Sequence, residues 1–262
     1  DVCGTGGGRR ARFNTSTVVA LVAAAAGCPV AKLCGGGSQA KNGSINFVEA
    51  IGCNVAGLDE LLREAFRRFN LCYLDARRFL PALVHFREAR KFAKCRTVIN
   101  LAAPLCNPAL IDYRLLGTTD KETAQILASI LSTYPGLKRA WVVVGNNGVD
   151  ELTVLGVSRI YVVENGRFAQ THFHPRLLGA GVRQGVPCWG NAHKNAKLFF
   201  QFLDTPGESP LIDHISLNVA AFRVVRDDFA TLAEAFEHTK RFVLSGAVRD
   251  FFYTFRAFLA SG

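Results

Sequence analysis

The 262-residue sequence contains no methionine, no two cysteines separated by only two residues, and no long uninterrupted apolar stretch. A membrane-spanning helix needs about 18 or more apolar residues, and every apolar run here meets charge or glycine sooner. We therefore expect no membrane insertion. The missing methionine and the start at Asp1 indicate a processed or partial chain. No basic-then-apolar secretory signal follows that start.

The spacing of the cysteines indicates in which type of cellular compartment the protein is found. The eight cysteines are scattered singly, without the spacing of a zinc site or a disulfide framework. In a chain with 49% hydrophobic residues, they are typical of reduced, mostly buried thiols. This excludes a typical secreted protein and favours an intracellular one, either cytoplasmic or organellar (mitochondrial matrix or plastid). The length fits a single domain over residues 1–262.

Acidic residues are scarce in one segment. Residues 62–96 contain ten lysines and arginines but three acids, and the whole chain carries a formal charge of +10. Such a block either binds a polyanion or forms the solvated face of a helix, and the charge alone does not distinguish the two interpretations. The candidate polyanion-binding residues are Arg9, Arg10, Arg12, Arg67, Arg68, Arg77 and Arg78.

Short β-branched runs alternate with amphipathic stretches, which predicts an α/β fold. Helical patterning covers residues 16–26 and 58–69, and strand-like runs cover residues 29–32, 140–144 and 160–163. Three local signals add boundaries: capping boxes that open helices at Thr119 and Thr231, a hairpin turn at residues 164–166, and a helix stop at Gly246.

Several segments carry recognisable motifs in a fixed order. Residues 4–7 (GTGG) and 13–17 (FNTST) precede an alanine-rich helix, and residues 30–44 begin VAK and end KNGS. Residues 96–108 read RTVINLAAPLCNP, and residues 148–151 read GVDE. These resemble the GTGGDG, FNxST, VAKHGNRSVSSKSGS, RTxFNLLGPLxNP and GxDE motifs of the anthranilate phosphoribosyltransferase family. The resemblance extends over nearly the whole chain.

The resemblance implies the fold of the family's large domain, a central mixed or parallel sheet flanked by helices, with the small N-terminal helical domain largely absent from this chain. It implies transfer of phosphoribosyl from phosphoribosyl diphosphate to an aromatic amine, in tryptophan biosynthesis. If that activity is retained, the metal is Mg²⁺, held by Asp150 and Glu151, and otherwise no cofactor is expected. The substrate-binding residues would then be Gly4, Gly6, Gly7, Asn14, Ser16, Thr17, Lys32 and Arg90.

Other positions depart from the family pattern, mostly by losing polar side chains. The departures are Gly8, Arg9, Leu33, Gly35, Gly36, Gln39, Ala40, Leu80 and Ala103. Each lost hydrogen bond costs about 1–3 kcal/mol when its partner stays buried. We therefore expect a non-catalytic binding or structural subunit of a larger complex. Its expected partners are RNA or a ribonucleoprotein, other protein subunits, or a second copy in a homodimer.

Two alternatives stay open. The first is an active, divergent transferase that uses the residues named above. The second is a nucleoside phosphorylase, which shares the fold. The RTxFN…NP and DE segments of this chain resemble the anthranilate branch more closely than the phosphorylases. His214 is interpreted as an isolated residue that replaces none of the lost groups. The pocket beside Arg9, Arg10 and Arg12 would separate the alternatives, since these side chains either fill it or leave it open.

Overall fold

The computed structural model describes residues 1–6, 13–36, 43–55, 59–86, 97–179, 191–204 and 207–261. The strands in this part are β1 (Val2–Gly4), β2 (Val30–Cys34), β3 (Leu71–Asp75), β4 (Tyr113–Gly117), β5 (Arg139–Val144), β6 (Ser158–Glu164) and β7 (Arg167–Phe173). The α-helices in the same ranges are α1 (Thr15–Ala25), α2 (Ser44–Ala50), α3 (Asp59–Phe69), α4 (Ala76–Phe79), α5 (Ala82–His85), α6 (Val98–Ala102), α7 (Lys121–Ser132), α8 (Ala192–Asp204), α9 (Pro210–Val225), α10 (Leu232–Leu244) and α11 (Ala247–Ala260).

Five strands form a mixed sheet in the order β1-β4-β5-β6-β7. The first three are parallel to one another, whereas β6 and β7 are antiparallel and form the predicted hairpin. Strands β2 and β3 form a separate parallel pair that packs beside β1. The predicted α/β fold with a central mixed sheet is thus confirmed. Since parallel strands end at the same edge, the loops after β1, β4 and β5 lie together.

Helix α1 is the centre of the core. Its eleven residues are four alanines, three valines, one leucine, two threonines and one serine, so no face carries a charge and the helix can be buried on all sides. It packs against β1 on one side and against α9 and α11 on the other. In α11, Phe252 and Phe255 are buried, and Phe252 meets Phe199 edge-to-face with ring centres 5.0 Å apart. Across the described ranges, no helix is both long and apolar enough to span a membrane.

Two of the three predicted helix boundary signals are confirmed. Thr231 Oγ1 accepts a hydrogen bond from Glu234 N, and Gly246 has the left-handed φ of 84° that suits a helix stop. The predicted cap at Thr119 is wrong. The cap of α7 is Asp120, whose side chain accepts from Thr123 N at 2.7 Å. Aspartate caps as well as threonine does, and its charge also favours the positive helix end.

Most cysteines of the described ranges are buried. Cys3, Cys28, Cys34, Cys53 and Cys72 are buried, and Cys106 is exposed. Burial in apolar surroundings disfavours the thiolate and raises the pKa of Cys34, Cys53 and Cys72 to about 12 each. These thiols therefore stay protonated and sheltered at neutral pH.

This burial predicts selective alkylation. Iodoacetamide at neutral pH should label Cys106 in the native chain while leaving Cys34 and Cys53 unmodified, because the thiolate is the reactive form. Denaturant should expose all three to the reagent. Peptide mass spectrometry of the labelled protein measures this, and equal native labelling of Cys106 and Cys34 would show that the burial is wrong.

Candidate functional site

The predicted metal residues lie at the carboxyl edge of the sheet. Asp150 and Glu151 follow β5 in the chain, and their neighbours there are the ends of β1 and β4 and the first turn of α1. A small cavity of about 20 Å³ is lined by Thr15, Ser16, Asp150, Glu151 and parts of both strands. Ligands of open α/β sheets bind at this edge. Folding therefore joins the predicted helix-start and carboxylate residues, which are distant in sequence.

Two glycines let Asp150 approach the sheet. A β-carbon at Gly117, the last residue of β4, would lie 1.6 Å from the backbone oxygen of Asp150. A β-carbon at Gly4, the last residue of β1, would lie 2.8 Å from Asp150 Oδ2. Any side chain at Gly117 would therefore displace the Asp150 backbone. The absence of side chains at the two strand ends makes the space in which the carboxylate sits.

The two carboxylates fit a hard divalent cation. Within the described ranges, no three His, Cys, Asp or Glu side chains are grouped so as to hold a metal ion by themselves. Mg²⁺ does not need such a cage, since it commonly takes one or two carboxylates and fills the remaining positions with waters and substrate phosphates. Asp150 beside the side-chain-free end of β1, together with Glu151, suits that mode of binding.

Lys32 reaches the same region from β2. Its side chain is only 1% exposed, and Nζ donates to Val2 O at 2.7 Å and to Ser16 Oγ at 3.1 Å. A buried ammonium is costly unless it is hydrogen-bonded, so these two contacts fix its position. An ammonium has three N–H groups, and two of them have acceptors in the described part of the chain. The third can donate to an anion.

The start of α1 supplies a second anion-binding feature. Asn14 precedes the helix, and its side chain makes no cap hydrogen bond, since Oδ1 instead accepts from Asn195 Nδ2 at 2.8 Å. The N–H groups and the positive dipole of a helix start favour phosphate. Ser16 lines the cavity, whereas Thr17 is fully buried in the core and accepts at its backbone oxygen from Tyr73 OH.

The glycine loop is described only in part. Gly6 has a φ of 61°, a left-handed conformation that glycine adopts without strain, and no atom of the described residues lies within 4 Å of where its β-carbon would be. The predicted residues Gly7 and Arg90 lie outside the described ranges. The arginines at positions 9, 10 and 12 also lie outside them.

Helix α9 holds the loop that carries the carboxylates. Asn218 Oδ1 accepts from Leu152 N at 3.0 Å, and its Nδ2 donates to Leu152 O at 3.0 Å. One turn earlier, His214 Nε2 lies 2.6 Å from Glu151 Oε2 and 3.2 Å from Thr15 Oγ1. The interpretation of His214 as an isolated residue is therefore wrong. Its spacing of four residues from Asn218 put both on one helix face, which was the available signal.

Two departures from the family motifs have a packing role. Leu33 is buried with Leu62, Cys72 and Leu74, and Leu80 packs against that cluster. Lys32 and Leu33 are neighbours on β2, so their side chains point to opposite faces of the strand. The positions where the family has histidine thus contribute to an apolar cluster here.

Four arginines of the basic block form ion pairs within the described part of the chain. The four candidate arginines of the described ranges contact four carboxylates. The pairs are Arg67 and Arg68 with Glu64, Arg77 with Asp75 and Glu49, and Arg78 with Asp59. Most of these pairs are exposed and add little stability, but they lower the positive potential around these four arginines.

A larger groove lies elsewhere. Its volume is about 660 Å³, and its lining is mostly apolar, with Asp1, Pro29 and Asp112 at one end. These residues precede β1, β2 and β4, and the lining also includes Cys72 and Leu74, so the groove extends from the amino ends of these strands along β3. The chemically equipped site is the small cavity at the opposite edge, because both carboxylates are there.

Comparison with known proteins gives one consistent result. Residues 1–249 match the family described as "Glycosyl transferase family, a/b domain". The chain is 32% identical over 252 residues to anthranilate phosphoribosyltransferase of Petrotoga mobilis, covering 94% of this chain and 71% of the relative. It is 33% identical over 252 residues to the enzyme of that name from Thiobacillus denitrificans, covering 95% and 73%.

Solved structures agree. Anthranilate phosphoribosyltransferase from Thermus thermophilus superimposes with a TM-score of 0.85 at 32% identity, over 99% of this chain and 77% of that one. The Saccharomyces cerevisiae enzyme in complex with PRPP and Mg superimposes with a TM-score of 0.88 at 23% identity, over 100% and 74%. At that identity, the second match shows the fold alone.

These matches correct the functional prediction. A non-catalytic, RNA-associated subunit is the wrong interpretation, because relatives about one-third identical over most of the chain are named as the enzyme. The paired arginines and the assembled carboxylates give the physical reasons. The chain belongs to the anthranilate phosphoribosyltransferase family.

Proposed function

We propose that the chain is an active phosphoribosyltransferase that moves phosphoribosyl from phosphoribosyl diphosphate to an aromatic amine, with anthranilate as the first acceptor to test. The observation that carries the proposal is the meeting of Ser16, Asp150 and Glu151 at one cavity, with Lys32 hydrogen-bonded to Ser16. Its relatives bear the name of this enzyme, and one structural relative is described with PRPP and Mg.

The reaction needs the diphosphate to leave. The amine nitrogen bonds to the ribose carbon as the bond from that carbon to the diphosphate oxygen breaks. The bond electrons leave with the diphosphate, and the amine gives up a proton. Negative charge therefore grows on the leaving group. Positive groups fixed in advance at that place stabilise the transition state more than the ground state.

The chain supplies those groups from two elements. The Lys32 ammonium is held rigidly by Val2 O and Ser16 Oγ, so little reorganisation is needed to meet a phosphate. The N-terminal turn of α1 adds backbone donors, and Gly6 has no side chain that would keep a phosphate from the backbone of the loop. Asp150 and Glu151 would hold Mg²⁺, which when bound neutralises charge on the diphosphate oxygens.

The acceptor side differs from the family pattern. Leu33 and Leu80 offer no hydrogen bond to an amine substrate and join the apolar cluster instead. Arg90 remains the predicted partner of an acceptor carboxylate. A homodimer likewise stays a prediction.

Binding of the phosphoribosyl donor tests the proposal directly. Calorimetric titration of the chain with phosphoribosyl diphosphate and Mg²⁺ should show micromolar binding that disappears in Asp150→Asn. Glu122→Gln, which removes an exposed carboxylate on α7, is the matched control and should bind like the wild type. No heat of binding to a folded wild-type chain would contradict the proposal.

Lys32 gives a further prediction. Lys32→Met keeps the length and apolar stem of the side chain but removes the ammonium. Since a hydrogen bond to a charged group contributes about 1.5–3 kcal/mol, the Kd for phosphoribosyl diphosphate should rise roughly tenfold to a hundredfold. The control is Lys121→Met, which removes an exposed lysine. An unchanged Kd in a folded Lys32→Met variant would remove Lys32 from the site.

A further inference from the structure

His214 occupies an unusual position for a titratable side chain. It lies on α9, is 0% exposed, and none of the substrate-binding or metal-binding predictions includes it. The polar contacts of its side chain in the described ranges are both at Nε2, which lies 2.6 Å from Glu151 Oε2 and 3.2 Å from Thr15 Oγ1. Nδ1 is buried without a hydrogen-bond partner there. The polar role of the ring is thus directed at Glu151.

The direction of the hydrogen bond follows from the partner. An ionised carboxylate only accepts hydrogen bonds, so Nε2 carries the proton and donates a hydrogen bond to Oε2. At 2.6 Å this is a short, charge-assisted hydrogen bond between a fully buried ring and a carboxylate that is 13% exposed. It engages Oε2, whereas Oε1 makes no hydrogen bond to the described part of the chain. Glu151 is thereby held with Oε2 hydrogen-bonded to His214 and with Oε1 available to a metal ion.

The same helix also fixes the backbone beside that carboxylate. Asn218 binds both the N–H and the carbonyl of Leu152, the residue after Glu151. Asn218 Nδ2 in turn donates to His214 O at 2.9 Å. Helix α9 therefore positions the loop through Asn218 and the carboxylate through His214.

We propose that His214 is a positioning residue for Glu151 that sets the affinity of the site for a divalent cation. The inference rests on the proposed function, because it takes Glu151 as a metal ligand. Groups that hydrogen-bond to metal ligands restrict the orientations that those ligands must otherwise lose on binding. Removing such a group costs about tenfold to a hundredfold in metal affinity.

The test is the affinity for Mn²⁺, a spectroscopic substitute for Mg²⁺, measured on the full chain by the loss of the free-ion electron paramagnetic resonance signal. The titration is run with and without phosphoribosyl diphosphate. His214→Leu removes the donor and should weaken Mn²⁺ binding about tenfold or more. His214→Gln can present an N–H at a similar reach and should stay within about threefold of the wild type, since donation is the property that matters.

Two further variants separate positioning from packing. Ser216→Ala changes an equally buried polar residue on α9 that does not touch Glu151, and it should leave Mn²⁺ affinity unchanged. His214→Asn keeps polarity but shortens the reach, and it should weaken binding like the leucine variant. His214→Asn replaces His214→Leu in the test if the leucine variant does not fold. Thermal unfolding shows whether each variant is folded.

The outcomes are distinguishable. Wild-type affinity in a folded His214→Leu or His214→Asn variant overturns the positioning role alone, as does an equal loss in His214→Gln. A wild-type chain that binds no Mn²⁺ even with phosphoribosyl diphosphate overturns the metal site, and with it both proposals.

Discussion

Gly117→Ala is expected to destabilise the folded chain by about 3 kcal/mol, at the upper end of the cost of overpacking. The added β-carbon would lie 1.6 Å from the backbone oxygen of Asp150, far inside any contact distance. Backbone cannot rotate away as a flexible side chain can, so β4 and the Asp150 loop must separate. The same shift moves the carboxylate, so divalent cation binding should fall as well.

Urea denaturation followed by circular dichroism measures the loss of stability. Gly207→Ala is the matched control, because no atom of the described part of the chain lies within 4 Å of its added β-carbon. A surface change of that kind should stay within about 0.5 kcal/mol of the wild type. If Gly117→Ala were as stable as this control, the close approach of β4 and Asp150 would be wrong.

Glu151→Gln is expected to lower kcat/KM for phosphoribosyl transfer at least a hundredfold. Glutamine keeps the size of the side chain but removes its charge, so a hard cation loses one of its two anionic ligands. Charge stabilisation by a bound cation contributes several kcal/mol to a transition state, and about 3 kcal/mol corresponds to more than a hundredfold in rate.

Steady-state kinetics with saturating Mg²⁺ measures this effect. Glu122→Gln again serves as the control, because its carboxylate is 69% exposed on α7. Thermal unfolding should show both variants folded. Less than a tenfold loss in Glu151→Gln would mean that Glu151 is not a metal ligand during the reaction.

Local patterns in the sequence predicted much of the fold. The alanine-rich run became α1, the β-branched runs became β5 and β6, and the turn between β6 and β7 formed with positive φ at Asn165 and Gly166. These features depend on neighbours in the chain, so a local pattern identifies them. The cap at Thr119 failed because Asp120, one residue later, has equally suitable chemistry.

The sequence pattern could not predict which charged residues form ion pairs across the fold. The count of acids in residues 62–96 missed Glu49 and Asp59, which lie outside that window and neutralise Arg77 and Arg78 only after folding. The basic block suggested a polyanion partner because these ion pairs do not show in a count along the sequence.

The site residues that belong to recognisable sequence motifs could be predicted. Lys32, Ser16, Asp150 and Glu151 were found from their motifs, and the structure brings them together. His214 was missed, since only its position across from Glu151 gives it a role. The losses at Leu33 and Leu80 were interpreted as lost function, but the apolar cluster that they form is visible only in three dimensions.

Transfer itself is the most direct test of the proposed activity. The purified chain is incubated with phosphoribosyl diphosphate, Mg²⁺ and anthranilate, and the loss of anthranilate fluorescence is followed with mass spectrometry of the product. We predict Mg²⁺-dependent formation of the phosphoribosyl adduct with one diphosphate released per anthranilate consumed, and its loss in Glu151→Gln. A folded wild-type chain that consumes neither substrate would contradict the assignment of this activity.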